Sequence, residues 1–149
     1  MEHFDDSVGK RRIIIINNMS LDEAEKYYFK MHGLKNVTKS QSTRTLKKKI
    51  KGIAQSRDVS QWILAIRDRS KRLIGKMEIL LTGENVALLK IEIPDETWNY
   101  KYGVEAIEQF KDICKEKQYF EKIELEKDNL ISKRYKDYYK INSYTIEIA

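Results

Sequence analysis

The chain has 149 residues, 41% hydrophobic and 35% charged. That is enough apolar material for one domain with its own core, and too much for a disordered chain. Its net charge of +6 favours anionic partners without choosing among nucleic acid, a phosphorylated cofactor and simple solubility. No apolar run approaches the roughly 20 residues of a membrane span, and the single cysteine, Cys114, excludes an internal disulfide.

Residues 1–10 read as a polar lead-in without the apolar core of a secretory signal, so the expectation is a soluble cytoplasmic protein. A single domain is expected over 11–149. "RRIIII" (11–16) is a β-branched run that predicts a buried strand. "SLDEAEKYYFKMHGLK" predicts a helix: Ser20 and Glu23 have capping-box spacing, Leu21, Ala24, Tyr28 and Met31 share a stripe, and Gly33 is a plausible stop. A second helix fits "STRTLKKKIKGIAQS", with Leu46, Ile50, Ile53 and Ala54 on one face. Its Arg44, Lys47, Lys48, Lys49 and Lys51 read as a solvated face or the rim over an acidic ligand. No stacking aromatics accompany them, which argues against a nucleic-acid binder.

Three strands follow: "QWILAI" (61–66), "RLIGKMEILL" (72–81) and "NVALLKIEI" (85–93). The chain's only proline, Pro94, ends the third. After a turn rich in aromatic and amide side chains, Gly103 is expected to open a helix to about Lys117, with Val104, Ile107, Phe110 and Cys114 on its apolar face. "EKIELE" (121–126) predicts a short strand, and "DNLISKRYKDYYK" a helix capped by Asp128 or Asn129. "SYTIEIA" closes with Tyr144, Ile146 and Ile148 alternating against Thr145 and Glu147. The order is β-α-α-β-β-β-α-β-α-β, an α/β (α+β) domain with a mixed, mostly antiparallel sheet and about four helices. Its natural parallel crossover runs from Val86 to Glu126.

The chemistry available is narrow. His3 and His32 are the only histidines, no His/Cys group has zinc spacing, and no Walker loop or GxGxxG is present, so no metal is expected. Cys114 on an apolar helix face reads as core filler. What remains is the turn after Pro94. A strand ending before a helix N-terminus can present free amides to an anion, and Asn99 to Val104 would supply them. On local pattern alone, a plain connection is the preferred reading.

The order of elements and several phrases resemble the GNAT family of N-acetyltransferases. "RLIGKMEILL" is similar to the family's third strand. "LLKIEIPDETWNYKYGVEAIEQF" resembles its fourth strand and cofactor loop, and "KIELEKDN" its fifth strand, ending in a cofactor-facing asparagine, here Asn129. Tyr102-Gly103-Val104-Glu105-Ala106 is most similar to the branch that acetylates ribosomal-protein N-termini. The loop departs from the family pattern Gln/Arg-x-x-Gly-x-Gly/Ala: Trp98 and Lys101 stand at the first two marked positions, and Gly103 alone matches. After the last helix, Tyr138 and Lys140 fall correctly, but Asn142-Ser143 stand where Gly-Phe is common.

The resemblance implies acetyl transfer from acetyl-CoA to a primary amine by direct attack. The cofactor arm would lie along the backbone at Ile91 and Ile93, near Asn129, and the pyrophosphate on the stretch Trp98, Asn99, Tyr100, Lys101, Tyr102, Gly103 and Val104. Tyr138 would protonate the leaving thiolate. Glu92 would take the amine proton through water, or serve as an ordinary surface residue. Tyr27 and Tyr28 would shape the choice of acceptor, a peptide N-terminus or a small amine. A non-catalytic module of the same fold stays open as an alternative, as does monomer against homodimer.

Overall fold

The computed structural model describes residues 14–24, 44, 47, 48, 50, 51 and 61–148. The lead-in, Tyr27, Tyr28, Met31, Gly33, Leu46, Ile53 and Ala54 lie outside them. Six strands form one sheet in sequence order: β1 (Ile14–Asn18), β2 (Gln61–Asp68), β3 (Leu73–Gly83), β4 (Val86–Glu92), β5 (Lys122–Leu125) and β6 (Thr145–Glu147). Two helices are described in full, α1 (Glu96–Lys117) and α2 (Leu130–Tyr139). Residues 21–24 and the described residues between 44 and 51 are also helical.

All neighbouring strands are antiparallel except β4 and β5, which are parallel and joined by α1. The expected crossover is therefore present, and the mixed, mostly antiparallel sheet is as the strand pattern implies.

Alternation sorts the side chains onto two faces. Trp62, Leu64, Met77, Ile79, Leu89, Ile91, Ile123 and Ile146 share one buried cluster with Ala106, Ile107, Phe110 and Cys114 of α1 and Ile131 and Tyr135 of α2. The opposite face is covered at β2 by a smaller cluster, in which Met19, Ala24 and Ile50 pack on Ile63 and Ala65. The capping box forms: Ser20 N–H donates to Glu23 Oε1 (3.0 Å) and Glu23 N–H to Ser20 Oγ (3.2 Å). Glu23 also pairs with Arg67 of β2, which ties this helix start to the sheet. Leu21 departs from its expected apolar stripe and is 42% exposed.

Two boundaries differ in a way that matters. β1 begins at Ile14 and extends to Asn18, paired through Leu64, so the strand continues beyond the apolar run. The long helix starts at Glu96, seven residues before the expected opening at Gly103. Asp95 is its N-cap, accepting from Trp98 N–H at 2.9 Å, and Pro94 stands just before the cap. The segment 96–102 contains no helix breaker, so the helix propagates back to the first good cap.

Candidate functional site

Parallel strands bring their carboxyl ends to the same edge of the sheet, where ligands of open α/β sheets bind at a change of strand direction. Here that place is the end of the β4–β5 pair. β5 ends at Leu125, which is aligned with Leu89, and its N–H donates to Tyr144 O at 2.7 Å on the far side. β4 runs on to Glu92 with no β5 residue beside Lys90, Ile91 and Glu92. Both helix N-termini arrive at this edge, α1 three residues after Ile93 and α2 after Asn129.

Gly75 of β3 lets the end of β4 lie close. A Cβ there would fall inside contact of the Glu92 carbonyl oxygen and 2.7 Å from Ile93 Cγ1. Its neighbour Ile74 is fully buried, which accounts physically for the Ile-Gly pair.

The carbonyls along this stretch are filled by side-chain carboxamides. Asn129 Nδ2 donates to Ile91 O at 2.8 Å, while its Oδ1 accepts from Ile131 N–H (2.8 Å) and Ser132 N–H (3.4 Å) and so caps α2. Asn99 Nδ2 donates to Ile93 O at 2.9 Å. Asn99 Oδ1 in turn accepts from Arg134 Nη1 of α2 at 2.7 Å, and the Arg134 guanidinium lies 5.2 Å from the centre of the Tyr100 ring. The hydroxyl of Ser132, fully buried one turn into α2, has no partner among the described residues.

The expected cradle is not a turn. Asn99, Tyr100, Lys101, Tyr102, Gly103 and Val104 lie inside α1, where backbone amides bond to carbonyls four residues earlier; Asn99 N–H donates to Asp95 O at 2.7 Å. Gly103 is buried against α2, and a Cβ there would come 2.9 Å from both Cγ atoms of Ile131. In this structure its lack of a side chain serves the close approach of two helices.

The other expected residues separate. Trp98 is half-buried beneath Arg72, 5.5 Å from its ring centre, and Lys101 lies 5.1 Å from the Tyr102 ring. Ile91 and Ile93 point into the core, which turns Glu92 to the opposite sheet face, aligned with Lys76. That face also carries Glu78, whose Oε2 accepts from Lys76 Nζ at 3.0 Å. Tyr138 is 71% exposed in the last turn of α2, its ring edge against Tyr139 at 4.9 Å.

Its neighbours are committed elsewhere. Tyr135 donates to Glu108 Oε2 at 2.7 Å, and burial with the Glu108 carboxylate pushes its phenol far up. Burial, then the charges of Glu108 and Glu105, push Tyr139 up to about 12. Cys114 is fully buried, and burial alone pushes its thiol up, as a core cysteine requires.

Sequence reading missed Arg134. Its only signal was a cation five residues after the capping asparagine, indistinguishable from the other helix lysines and arginines. No group of metal-ligating side chains occurs among the described residues, nor any helix long and apolar enough to cross a membrane. An open hollow of about 390 Å³ beside Asn85, Tyr119 and Ile148 lies at the amino ends of β4 and β5, away from this edge.

No family model matches the sequence, and no curated protein matches it. Solved structures do. RimJ of Mycobacterium smegmatis, in complex with CoA-disulfide, superposes with a TM-score of 0.66 at 11% identity, over 85% of this chain and 68% of that one. A putative ribosomal-protein-serine acetyltransferase from Vibrio cholerae gives 0.62 at 15% identity, over 87% and 79%. The spermidine N-acetyltransferase from Vibrio cholerae, in complex with CoA and spermine, gives 0.60 at 16% identity, over 76% and 70%. The chain has the GNAT acetyltransferase fold.

Proposed function

We propose that this protein is an N-acetyltransferase that moves an acetyl group from acetyl-CoA to an amine. The observation that carries the reading is the stretch from Lys90 to Ile93, which has no β5 residue beside it and where two backbone carbonyls are each satisfied by a carboxamide N–H. A strand edge whose acceptors already take amide donors suits a ligand arm built of amides. Acetyl-CoA has such an arm, and the residues present fit it on that ground.

When bound, the cosubstrate supplies a thioester carbonyl as electrophile. Ile91 O and Ile93 O accept from the arm in place of the two asparagines, while Asn129, fixed by its cap bonds, keeps the mouth of the groove in shape. Ser132 Oγ is a buried hydroxyl without a partner among the described residues, a donor that a ligand oxygen could take.

The amine acceptor is assigned to the other sheet face, where Glu92 accepts its proton through water. Tyr138 would give its hydroxyl proton to the leaving sulfur. Of the three tyrosines in α2, Tyr135 is tied to Glu108 and Tyr139 holds its proton too firmly, whereas Tyr138 has no hydrogen-bond partner among the described residues. The neighbours named for ribosomal-protein and spermidine acetylation support an amine acceptor, with a peptide N-terminus and a polyamine as the two classes to test first.

One observation favours a second reading, a non-catalytic module of the same fold. The amides expected to cradle the pyrophosphate are inside α1, and Asp95 and Glu96 already place carboxylates at its N-terminus, where they take up the favourable end of the helix dipole and repel a further anion. Acetyl-CoA titrated calorimetrically, followed by release of CoA with a panel of amines, separates the two. Binding with turnover supports the transferase; binding without turnover of any amine supports the module; no binding at millimolar acetyl-CoA overturns the first reading.

A further inference from the structure

Arg134 stands out among the cations of this edge. Arg72 is paired with Asp68 (2.7 Å), and Lys101 rests on its own neighbour's ring. Arg134 has no carboxylate partner among the described residues; it contacts a neutral carboxamide oxygen, Asn99 Oδ1, and the face of Tyr100, a residue that is 75% exposed. A neutral acceptor holds a guanidinium less firmly than a phosphate does, since it brings neither the opposite charge nor the two-oxygen fork that a guanidinium matches. The exposed Tyr100 ring offers a stacking surface of the kind that accepts a nucleobase.

This pair is wired to the arm groove. Asn99 is bound at both ends: its oxygen holds Arg134, and its Nδ2 fills Ile93 O. If Arg134 turns to another anion, Asn99 loses the contact that fixes its orientation, and its hold on Ile93 O weakens with it.

We propose that Arg134 and Tyr100 bind the phosphorylated adenosine end of the cofactor, and that engaging this end releases Asn99 from the Ile93 carbonyl and so opens the groove for the arm. The inference rests on the acetyl-CoA reading above and adds to it a coupling between the two halves of the ligand. Two sites linked by one displaceable side chain are coupled reciprocally: each half of the ligand tightens the other by the same factor. Asn99 is a positioning residue in this scheme, and Arg134 a binding one.

The two halves can be supplied separately. The affinity of acetyl-pantetheine, the arm without the nucleotide, is measured by NMR titration of the full chain with and without saturating adenosine 3′,5′-bisphosphate. In the wild type the nucleotide tightens arm binding on the order of tenfold, and alone it shifts the Asn99 carboxamide signals. In Asn99→Ala the arm already binds in the tight regime, and the nucleotide adds nothing. In Arg134→Gln the nucleotide binds weakly and the coupling is lost.

Independent binding of the two fragments in a wild-type protein that binds intact acetyl-CoA overturns the inference and leaves the transferase reading standing. Full coupling retained in Asn99→Ala also overturns it. Failure of intact acetyl-CoA to bind removes both.

Discussion

Replacing Gly103 with alanine separates two explanations for that glycine. In the interior of α1 the change by itself stabilises, since glycine is about 0.8–1.0 kcal/mol poorer than alanine in a helix. The added methyl, however, meets Ile131 Cγ1 and Cγ2 at 2.9 Å and Cδ1 at 3.1 Å, inside normal contact for all three. Overpacking of a tight site costs about 1–3 kcal/mol. The two terms sum to a net loss of about 0–2 kcal/mol, a fall in Tm of several degrees at most for a domain of this size.

The sign is better tested against a background that removes the obstacle. Ile131→Ala takes away the three nearest atoms that the new methyl meets. In that background Gly103→Ala is expected to stabilise by about 1 kcal/mol, the helix term alone. The double-mutant cycle then yields a coupling energy of about 1–3 kcal/mol between residues 103 and 131. Urea unfolding monitored by circular dichroism measures all four proteins. If Gly103→Ala stabilises the wild type by the same amount as it stabilises Ile131→Ala, the helix contact does not constrain Gly103. The packing explanation then falls, and ligand approach becomes the reason for the glycine.

Further expectations rest on the same contacts. Asn129→Asp keeps an acceptor for the α2 cap but loses the donor to Ile91 O, whereas Asn129→Ala loses both; alanine is expected to cost about 1 kcal/mol more than aspartate in urea unfolding. Tyr135→Phe removes the hydroxyl bonded to Glu108 and is expected to cost about 1–2 kcal/mol, with a loss under 0.3 kcal/mol, roughly, arguing that water replaces it. Asp68 gives the fold an acid-side dependence. Burial pushes its carboxyl up, but the Arg72 backbone N–H, the Arg72 side-chain hydrogen bond and its charge outweigh that and hold it below the ordinary value of 3.8. Its folded value is depressed, so the stability it contributes is present above 3.8 and lost as pH falls through the lower folded value. The Tm of Asp68→Asn should therefore fall less steeply than wild type below that pH, and parallel curves would contradict the assignment. Cys114, fully buried with its thiol pushed up, should react with a thiol reagent only at the rate of unfolding; a fast reaction under native conditions would contradict its burial.

The strands were legible because alternation and β-branched runs report local preference and burial together. Ile146 and Ile148 alternate inward as read, and the run of residues 85–93 became β4 almost unchanged. The helix starts were legible where a cap acts within three residues, as at Ser20 with Glu23 and at Asn129. The start of α1 was not, because Asp95 and Gly103 can each stand at a helix boundary and only packing chooses between them. A glycine inside a helix is a local cost, and what offsets it, Ile131 on another helix, lies 28 positions away in the chain. The carboxamide bonds to Ile91 O and Ile93 O were equally out of reach, since nothing in the residues around Asn99 announces Arg134.

Composition, periodicity and capping chemistry by themselves determined a mixed α/β fold, its strand faces and its parallel crossover. These follow from interactions within a few residues, or from which face of an element is apolar. Only the tertiary structure decided that the expected anion cradle is two turns of helix, that Gly103 admits Ile131, and that two asparagines and an arginine fill the edge between β4 and β5. Each of those depends on which side chain arrives from a distant element, and the pairing of distant elements is set by the packing of the whole core.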